Sequence, residues 1–204
     1  MRKCTDWLRV YATSSVVLIG SALPAHATDV VPFVGLRFGG DVGTQPGNGV
    51  TGPTSVTIDS SVSYGGVIDI PFAPPRSVEI YYSRQPTKLS GSTAGDVTMS
   101  VFHLGLVDTL PSADQQLSWL LVGTVGATQL TARDSSATRP SIGLGGGLEW
   151  MATEHIGVRG DLRALLTFSG SGGGAASCGG GCSVSFHGSL VAQGEVSVGV
   201  VARF

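Results

Sequence analysis

The chain has little charge, and what it has is scattered. Asp, Glu, Lys and Arg make up 13% of its 204 residues, against about 25% in soluble domains. The formal net charge is −2, and no run of Lys or Arg forms a basic patch, so no nucleic-acid partner is expected. An uninterrupted apolar run of about 18 residues is also missing after position 27, which excludes a spanning helix there.

The first residues have the form of a secretory signal peptide. They combine a basic start, an apolar stretch too short to span a bilayer, and a small-x-small motif that ends at Ala27. We predict cleavage between Ala27 and Thr28. The chain then divides into a signal peptide over 1–27 and a single domain over 28–204.

Cysteine is scarce, and only two cysteines follow the predicted cleavage site. Cys178 and Cys182 lie in a stretch rich in Gly and Ser and are separated by three glycines. An even cysteine count in an exported chain favours a disulfide. The alternative, a metal site, is disfavoured because no His or further Cys lies close by.

Glycine, in contrast, is abundant, at 31 residues. Apolar and polar residues alternate between turn signals, which is typical of strands. We predict eight, over 30–40, 63–72, 77–85, 97–107, 117–131, 140–152, 157–168 and 184–204. The connections alternate between long and short, as in membrane barrels with long outer loops. We therefore predict an all-β, eight-stranded, antiparallel, up-and-down transmembrane β-barrel. A secreted soluble β-sandwich is the alternative.

The last strand shows the alternation best. Val196, Val198 and Val200 share one face, whereas Glu195 and Arg203 lie on the other. Since side chains alternate with a period of two, a register slip of one residue would place these charged side chains on the lipid-facing side. The fourth strand is less regular, because Met99 and Val101 fall on its polar face. A bulge there would explain the irregularity.

Nine charged residues share the polar faces, four of them positive and five negative. The interior of an eight-stranded barrel is just wide enough for side chains to fill. Near-equal numbers of both signs favour a network of ion pairs in this lumen, because an isolated buried charge is costly. The predicted network comprises Arg37, Asp69, Glu79, Glu149, Arg159, Asp161, Arg163, Glu195 and Arg203.

Three segments carry a family resemblance. The sequence GLGGGLEW over 143–150 and HIGVRGDLR over 155–163 resembles the sixth and seventh strands of the OmpA/OmpX-like outer-membrane β-barrel family. The alternating valines that lead to Phe204 resemble the C-terminal aromatic signature of that superfamily. The resemblance implies a Gram-negative outer-membrane location, recognition of Phe204 by the barrel-assembly machinery, and roles in adhesion, surface protection or structure.

Candidate chemistry is sparse. The glycine-rich segment over 143–147 does not fit a dinucleotide-binding loop, because Leu148 occupies the position where that motif has its third glycine. No strand–helix unit follows either. His187 and Ser189, with Glu195, suggest a lipid A deacylase, but they face the predicted lumen and Glu195 is too distant along the strand. His103 and His155 are isolated and are interpreted as structural. We predict no catalytic residue, cofactor or metal.

The aromatic residues Trp119, Trp150, Tyr64, Tyr81 and Tyr82 fit interfacial girdles, and core packing accounts for each equally well. The leading functional hypothesis is a structural or surface-interaction protein. A narrow porin-like ion channel is the first alternative, and a lipid A-modifying hydrolase is the second. The expected partners are outer-membrane lipid and lipopolysaccharide, the assembly machinery and an unidentified extracellular ligand. The expected state is a monomer.

Overall fold

The computed structural model describes residues 28–43, 55–87, 97–114, 116–132, 135–168, 175–178, 182–185 and 190–204. The predicted signal peptide lies outside these residues, and Thr28 is the first residue described. No helix in these ranges is long and apolar enough to cross a membrane.

Twelve strands form in the described residues, and eight of them close a barrel. Their bounds are β1 Asp29–Phe38, β2 Asp41–Gly43, β3 Ser55–Thr57, β4 Ser61–Ala73, β5 Arg76–Thr87, β6 Val97–Pro111, β7 Leu117–Ala132, β8 Ser135–Met151, β9 Ile156–Phe168, β10 Ala175–Cys178, β11 Cys182–Ser185 and β12 Leu190–Arg203. The barrel order is β1-β12-β9-β8-β7-β6-β5-β4, and its pairs are antiparallel. This confirms the predicted fold class.

The two ends of the barrel differ. The start of β1, the end of β12 and the strand ends that the short β4–β5, β6–β7 and β8–β9 connections join lie at one end. The long connections leave the opposite end, where β2 pairs with β3 and β10 pairs with β11. At that end β1 stops at Gly39 and Gly40, whose φ angles of 79° and 105° favour glycine. Because short turns face the periplasm in outer-membrane barrels, the kind of barrel that the sequence predicts, we call the end with the hairpins the extracellular end and the other the periplasmic end.

Inward and outward faces alternate along every barrel strand. On β9 the odd-numbered residues are buried and most even-numbered ones are exposed, because the pleat turns successive side chains to opposite faces. The outward face is apolar, as at Leu162 and Val198. The interior also has an apolar portion, which comprises Val31, Phe33, Val67, Tyr81, Val101, Leu165 and Val201.

A bulge does not account for the irregular pattern of the fourth strand. β6 pairs with β5 and β7 in continuous register through Met99 and Val101. Both side chains point into the barrel and are almost fully buried. Among the described pairs, a register shift lies elsewhere, between Pro71 and Ala73 on β4. Apolar residues on an inward face therefore reflect an apolar stretch of lumen here and no break in the strand.

The eighth predicted strand begins too early. The predicted range was 184–204, but β12 spans Leu190–Arg203. Val184 belongs to β11, and its partner is Ala176 in the extracellular hairpin. The alternating pattern continues from the hairpin into the barrel strand, so periodicity alone does not separate them.

Candidate functional site: the charged lumen

All nine predicted lumen residues lie on the inward faces of the barrel strands. Eight of them are buried, and Arg203, at the periplasmic end, is half-buried. The structure adds Asp29, the first residue of β1, which is also buried. We call these ten residues the lumen network.

The periplasmic end of the lumen network is built around Arg203. Its Nε and Nη2 donate to the two carboxylate oxygens of Asp29, each at 2.7 Å. Its Nη2 also donates to Glu149 Oε1 at 2.8 Å. Because Arg203 ends β12, Asp29 begins β1 and Glu149 lies on β8, this cluster links the first and last barrel strands and a third strand.

Arg159 connects three strands, β4, β5 and its own β9, in the next layer. Its Nη1 donates to Asp69 Oδ2 at 2.5 Å and its Nη2 to Glu79 Oε2 at 3.0 Å. Its Nε donates to Asp161 Oδ2 at 2.9 Å, on the same strand. The side chain is fully buried. Three carboxylates around one guanidinium supply the pairing that a buried charge requires. In register Arg159 also stands beside Glu149.

Arg163 forms a bidentate ion pair with Glu79. Its Nη1 and Nη2 donate to the two Glu79 oxygens at 2.5 and 2.9 Å. The guanidinium carbon lies 4.5 Å from the centre of the Tyr81 ring, in a cation–π contact. Tyr81 also stacks on Phe33, with ring centres 5.7 Å apart. Tyr81 therefore belongs to the interior, whereas Tyr64, Tyr82, Trp119 and Trp150 are exposed on the outer face.

Arg37 and Glu195 form a second, fully buried pair nearer the extracellular end. Arg37 Nε and Nη2 donate to Glu195 Oε2 at 2.9 and 2.7 Å. Arg37 Nη2 also donates to Ser83 Oγ at 2.6 Å. The Tyr81 hydroxyl donates to the second oxygen of Glu195. Glu195, proposed from the sequence as a possible triad acid, is thus held by Arg37 and Tyr81.

His103 is central to a chain of hydroxyl groups. Its Nδ1 lies 2.9 Å from Thr124 Oγ1 and its Nε2 2.8 Å from Ser141 Oγ. Thr128 donates to Ser141 at 3.0 Å, and Thr167 donates to Thr128 at 3.1 Å. The sequence presents His103 as isolated, whereas both its ring nitrogens have hydroxyl partners. These partners cannot be found from the sequence, because small hydroxyl residues on two other strands, β7 and β8, carry no signal of pairing.

The glycines of β8 leave room for these side chains. A Cβ at Gly143 would lie 2.4 Å from Thr124 Oγ1, and one at Gly145 would lie 2.9 Å from Arg163 Cγ. At Gly147 it would lie 2.9 Å from Asp161 Oδ1. These contacts are far closer than packed atoms allow. The glycine-rich segment therefore accommodates the lumen network.

The extracellular part of the lumen is more apolar. Its walls combine apolar side chains with the hydroxyls of Thr128 and Thr167 and the side chain of Arg139 around a small cavity, and the apolar residues are Ile58, Met99, Leu130, Ala137 and Val191. In the residues that the structure describes, no three His, Cys, Asp or Glu residues are arranged to hold a metal ion.

The remaining predicted positions lie at the ends of the barrel or outside the described residues. Cys178 and Cys182 are register partners across the β10–β11 hairpin. His155 lies in the exposed turn between β8 and β9, and Phe204 follows β12 with its backbone N–H donating to Thr28. His187 and Ser189 lie outside the described residues, as does Ala27.

Comparison with known proteins places this arrangement among bacterial barrels. Residues 15–204 match a family model described as an outer membrane protein beta-barrel domain. Neisserial surface protein A is 11% identical, with 87% of this chain and 97% of that chain covered and a TM-score of 0.56. OprG from Pseudomonas aeruginosa is 13% identical, with 87% and 96% covered and a TM-score of 0.58.

A third similar structure is AlkL, determined by solid-state NMR in DMPC lipid bilayers. It is 12% identical, with 100% of this chain and 97% of that chain covered and a TM-score of 0.52. Identities this low show a shared fold and do not transfer an activity. No curated protein matches the chain in sequence.

Proposed function

Because this chain belongs to the family of outer membrane protein β-barrel domains, we propose that it is a closed, non-enzymatic surface protein of the bacterial outer membrane. In this proposal the barrel anchors the protein, and the long connections at the extracellular end carry any specific interaction. The observation that carries the proposal is the lumen network, which fills the barrel from its periplasmic end to beyond its middle.

Burial and ion pairing together support a closed lumen. Arg37, Glu79, Arg159 and Glu195 are each 0% exposed. Their ion pairs run across the lumen between β5 and β9 and between neighbouring strands β1 and β12. A solute that passed through would have to separate charges whose pairing offsets a desolvation cost of several kcal/mol per ion.

A narrow ion channel is the second candidate, and one observation favours it. Among the described residues, Asp69 Oδ1 and Arg163 Nε are buried polar atoms without a protein hydrogen-bond partner. Buried polar atoms of this kind are commonly satisfied by water. A file of such waters beside the network would provide a path for small ions.

Single-channel recording distinguishes the two candidates. Wild-type protein reconstituted in planar bilayers is expected to give no conductance steps. The double variant Glu79→Ala/Arg163→Ala removes the bidentate ion pair from the lumen and is expected to give conductance steps. Leu162→Ala, on the outer face of the same strand, is the matched control and should remain silent. Steps from the wild type would overturn the closed barrel in favour of the channel.

The lipid A-modifying hydrolase has less support. Its candidate acid, Glu195, is fully buried and accepts from Arg37 and Tyr81. We retain the proposal that the protein has no catalytic residues, and unchanged lipid A profiles in cells that express it would support this.

Export and processing complete the proposal. We propose that 1–27 is removed after Ala27 and that Cys178 and Cys182 form a disulfide in the extracellular hairpin. The register supports the pairing, since the Cα atoms of directly opposite residues in an antiparallel hairpin lie about 4.5–5.5 Å apart, within the range of about 4.4–6.8 Å that a disulfide spans. The oxidising environment outside the cytoplasm would maintain the bond.

A further inference from the structure

The outer surface of the barrel has a groove near its periplasmic end. It is lined by the β4–β5 turn and by β6 and β7, and its volume is about 470 Å³. The lining is apolar at Phe72, Leu110 and Leu121, which are all exposed on the outer face. Arg76 and Asp108 supply its charged groups.

The groove results from unequal hairpin lengths. β5 begins at Arg76, opposite Asp108, whereas β6 continues to Pro111 in register with β7. The last bond between the two hairpins runs from the Thr109 backbone N–H to the Pro75 carbonyl, at 2.9 Å. The β6–β7 hairpin therefore projects past the β4–β5 turn and leaves a step beside it.

The charges of this groove are unusual for the outer face. Among the described barrel-strand residues, three outward positions are charged: Arg76, Arg84 and Asp108. Arg76 Nε donates to Asp108 Oδ1 at 2.8 Å, and the two side chains are 61% and 38% exposed. An ion pair this exposed contributes little to stability. Both groups keep accessible surface with which to meet charges of a ligand.

We propose that this groove binds one phospholipid of the periplasmic leaflet whose headgroup carries both a phosphate and a primary ammonium. The phosphate lies against the Arg76 guanidinium, and the ammonium lies against the Asp108 carboxylate. An acyl chain follows the apolar wall formed by Phe72, Leu110 and Leu121. The proposal rests on the membrane placement of the barrel and is independent of whether the lumen conducts.

The ligand class follows from complementarity at three points. Guanidinium groups recognise phosphate oxygens through paired N–H donors. A carboxylate accepts from an ammonium, whereas it repels a headgroup that carries only negative charge. The apolar wall is continuous with the lipid-facing surface, so the acyl chain enters from the bilayer. A headgroup without the ammonium offers Asp108 no partner beyond Arg76.

Native mass spectrometry of the full-length protein tests the proposal. The protein is equilibrated in detergent with equal amounts of phosphatidylethanolamine and phosphatidylglycerol of matched chains, and the retained lipid is identified. The wild type is expected to retain one phosphatidylethanolamine with about a tenfold preference, the equivalent of roughly 1.4 kcal/mol. Asp108→Asn is expected to abolish the preference, and Arg76→Gln is expected to reduce retention of both lipids.

Arg84→Gln is the matched control, because Arg84 lies on the same face of the same strand but near the extracellular end. It should behave as the wild type, and the mobility of unboiled protein on gels checks that every variant is folded. Three results would overturn the proposal: equal retention of both lipids by the wild type, an unchanged preference in Asp108→Asn, or an equal loss in Arg84→Gln. None of them bears on the conductance experiment.

Discussion

At the scale of the residue, the lumen network depends on a few side chains that serve several partners. Glu79 accepts from Arg159 and from both terminal nitrogens of Arg163. Without Glu79, the described contacts leave Arg163 one acidic partner, Asp161, at 3.4 Å. A buried charge that loses its partner is far more costly than an exposed one.

We therefore expect Glu79→Ala to lower the free energy of unfolding by about 3–5 kcal/mol. Urea unfolding of protein inserted in lipid vesicles, followed by tryptophan fluorescence, measures the change. Asp108→Asn is the control, because it breaks an exposed pair and should cost about 0–1 kcal/mol. Equal losses in the two variants would mean that the lumen is hydrated enough to screen Arg159 and Arg163.

The sequence identifies which charges face inward but not which charges meet. Alternation places Arg163 on the polar face of its strand, and its register neighbour on β12 is Glu195. In the structure Arg163 instead pairs with Glu79, across the lumen on β5. Contacts of this kind depend on how the closed sheet is sheared, and no local pattern encodes that. Asp29 was missed for a simpler reason, since the predicted strand began one residue later.

At the scale of the element, β8 shows how backbone and lumen are matched. The glycines at 143, 145 and 147 face inward, whereas larger residues such as Leu144 and Leu148 face outward, so the inner face of the strand has no side chains there. The period-two pattern is enough to identify this strand. The reason for its glycines is visible only in the structure, where side chains of β7 and β9 occupy the space beside them. The same limit explains β6: a rule that apolar residues face lipid fails where Met99 and Val101 line the lumen.

Replacement of glycine by alanine should be more costly on the inner face of β8 than on the outer face of the barrel. A Cβ at Gly145 would lie 2.7 Å from the Leu162 carbonyl oxygen, whereas one at Gly123, facing outward on β7, has its nearest contact at 4.0 Å. Gly145→Ala is expected to cost about 1–3 kcal/mol through overpacking. Gly123→Ala should stay within about 0.5 kcal/mol of the wild type. Vesicle-based urea unfolding measures both, and similar values would show that β8 relaxes away from Arg163.

At the scale of the whole molecule, the barrel and the extracellular hairpins are separable. The barrel is closed by strand pairing all the way round, and the last pair joins β1 to β12. The β10–β11 hairpin forms a sheet of its own. Since closure leaves no free edge, the barrel does not need the hairpin to protect its strands.

This separation predicts the outcome of deleting residues 170–182, which removes β10 and both hairpin cysteines. Unboiled protein should still migrate faster than boiled protein on a gel, because closure of the eight strands does not involve the deleted segment. In the intact chain, reductant should leave that shift unchanged while it exposes Cys178 and Cys182 to a thiol-reactive label. Binding of any extracellular partner should be lost in the deletion variant. A deletion variant that no longer shows the shift would make the hairpin part of the folding unit, and retained binding would place recognition in another connection.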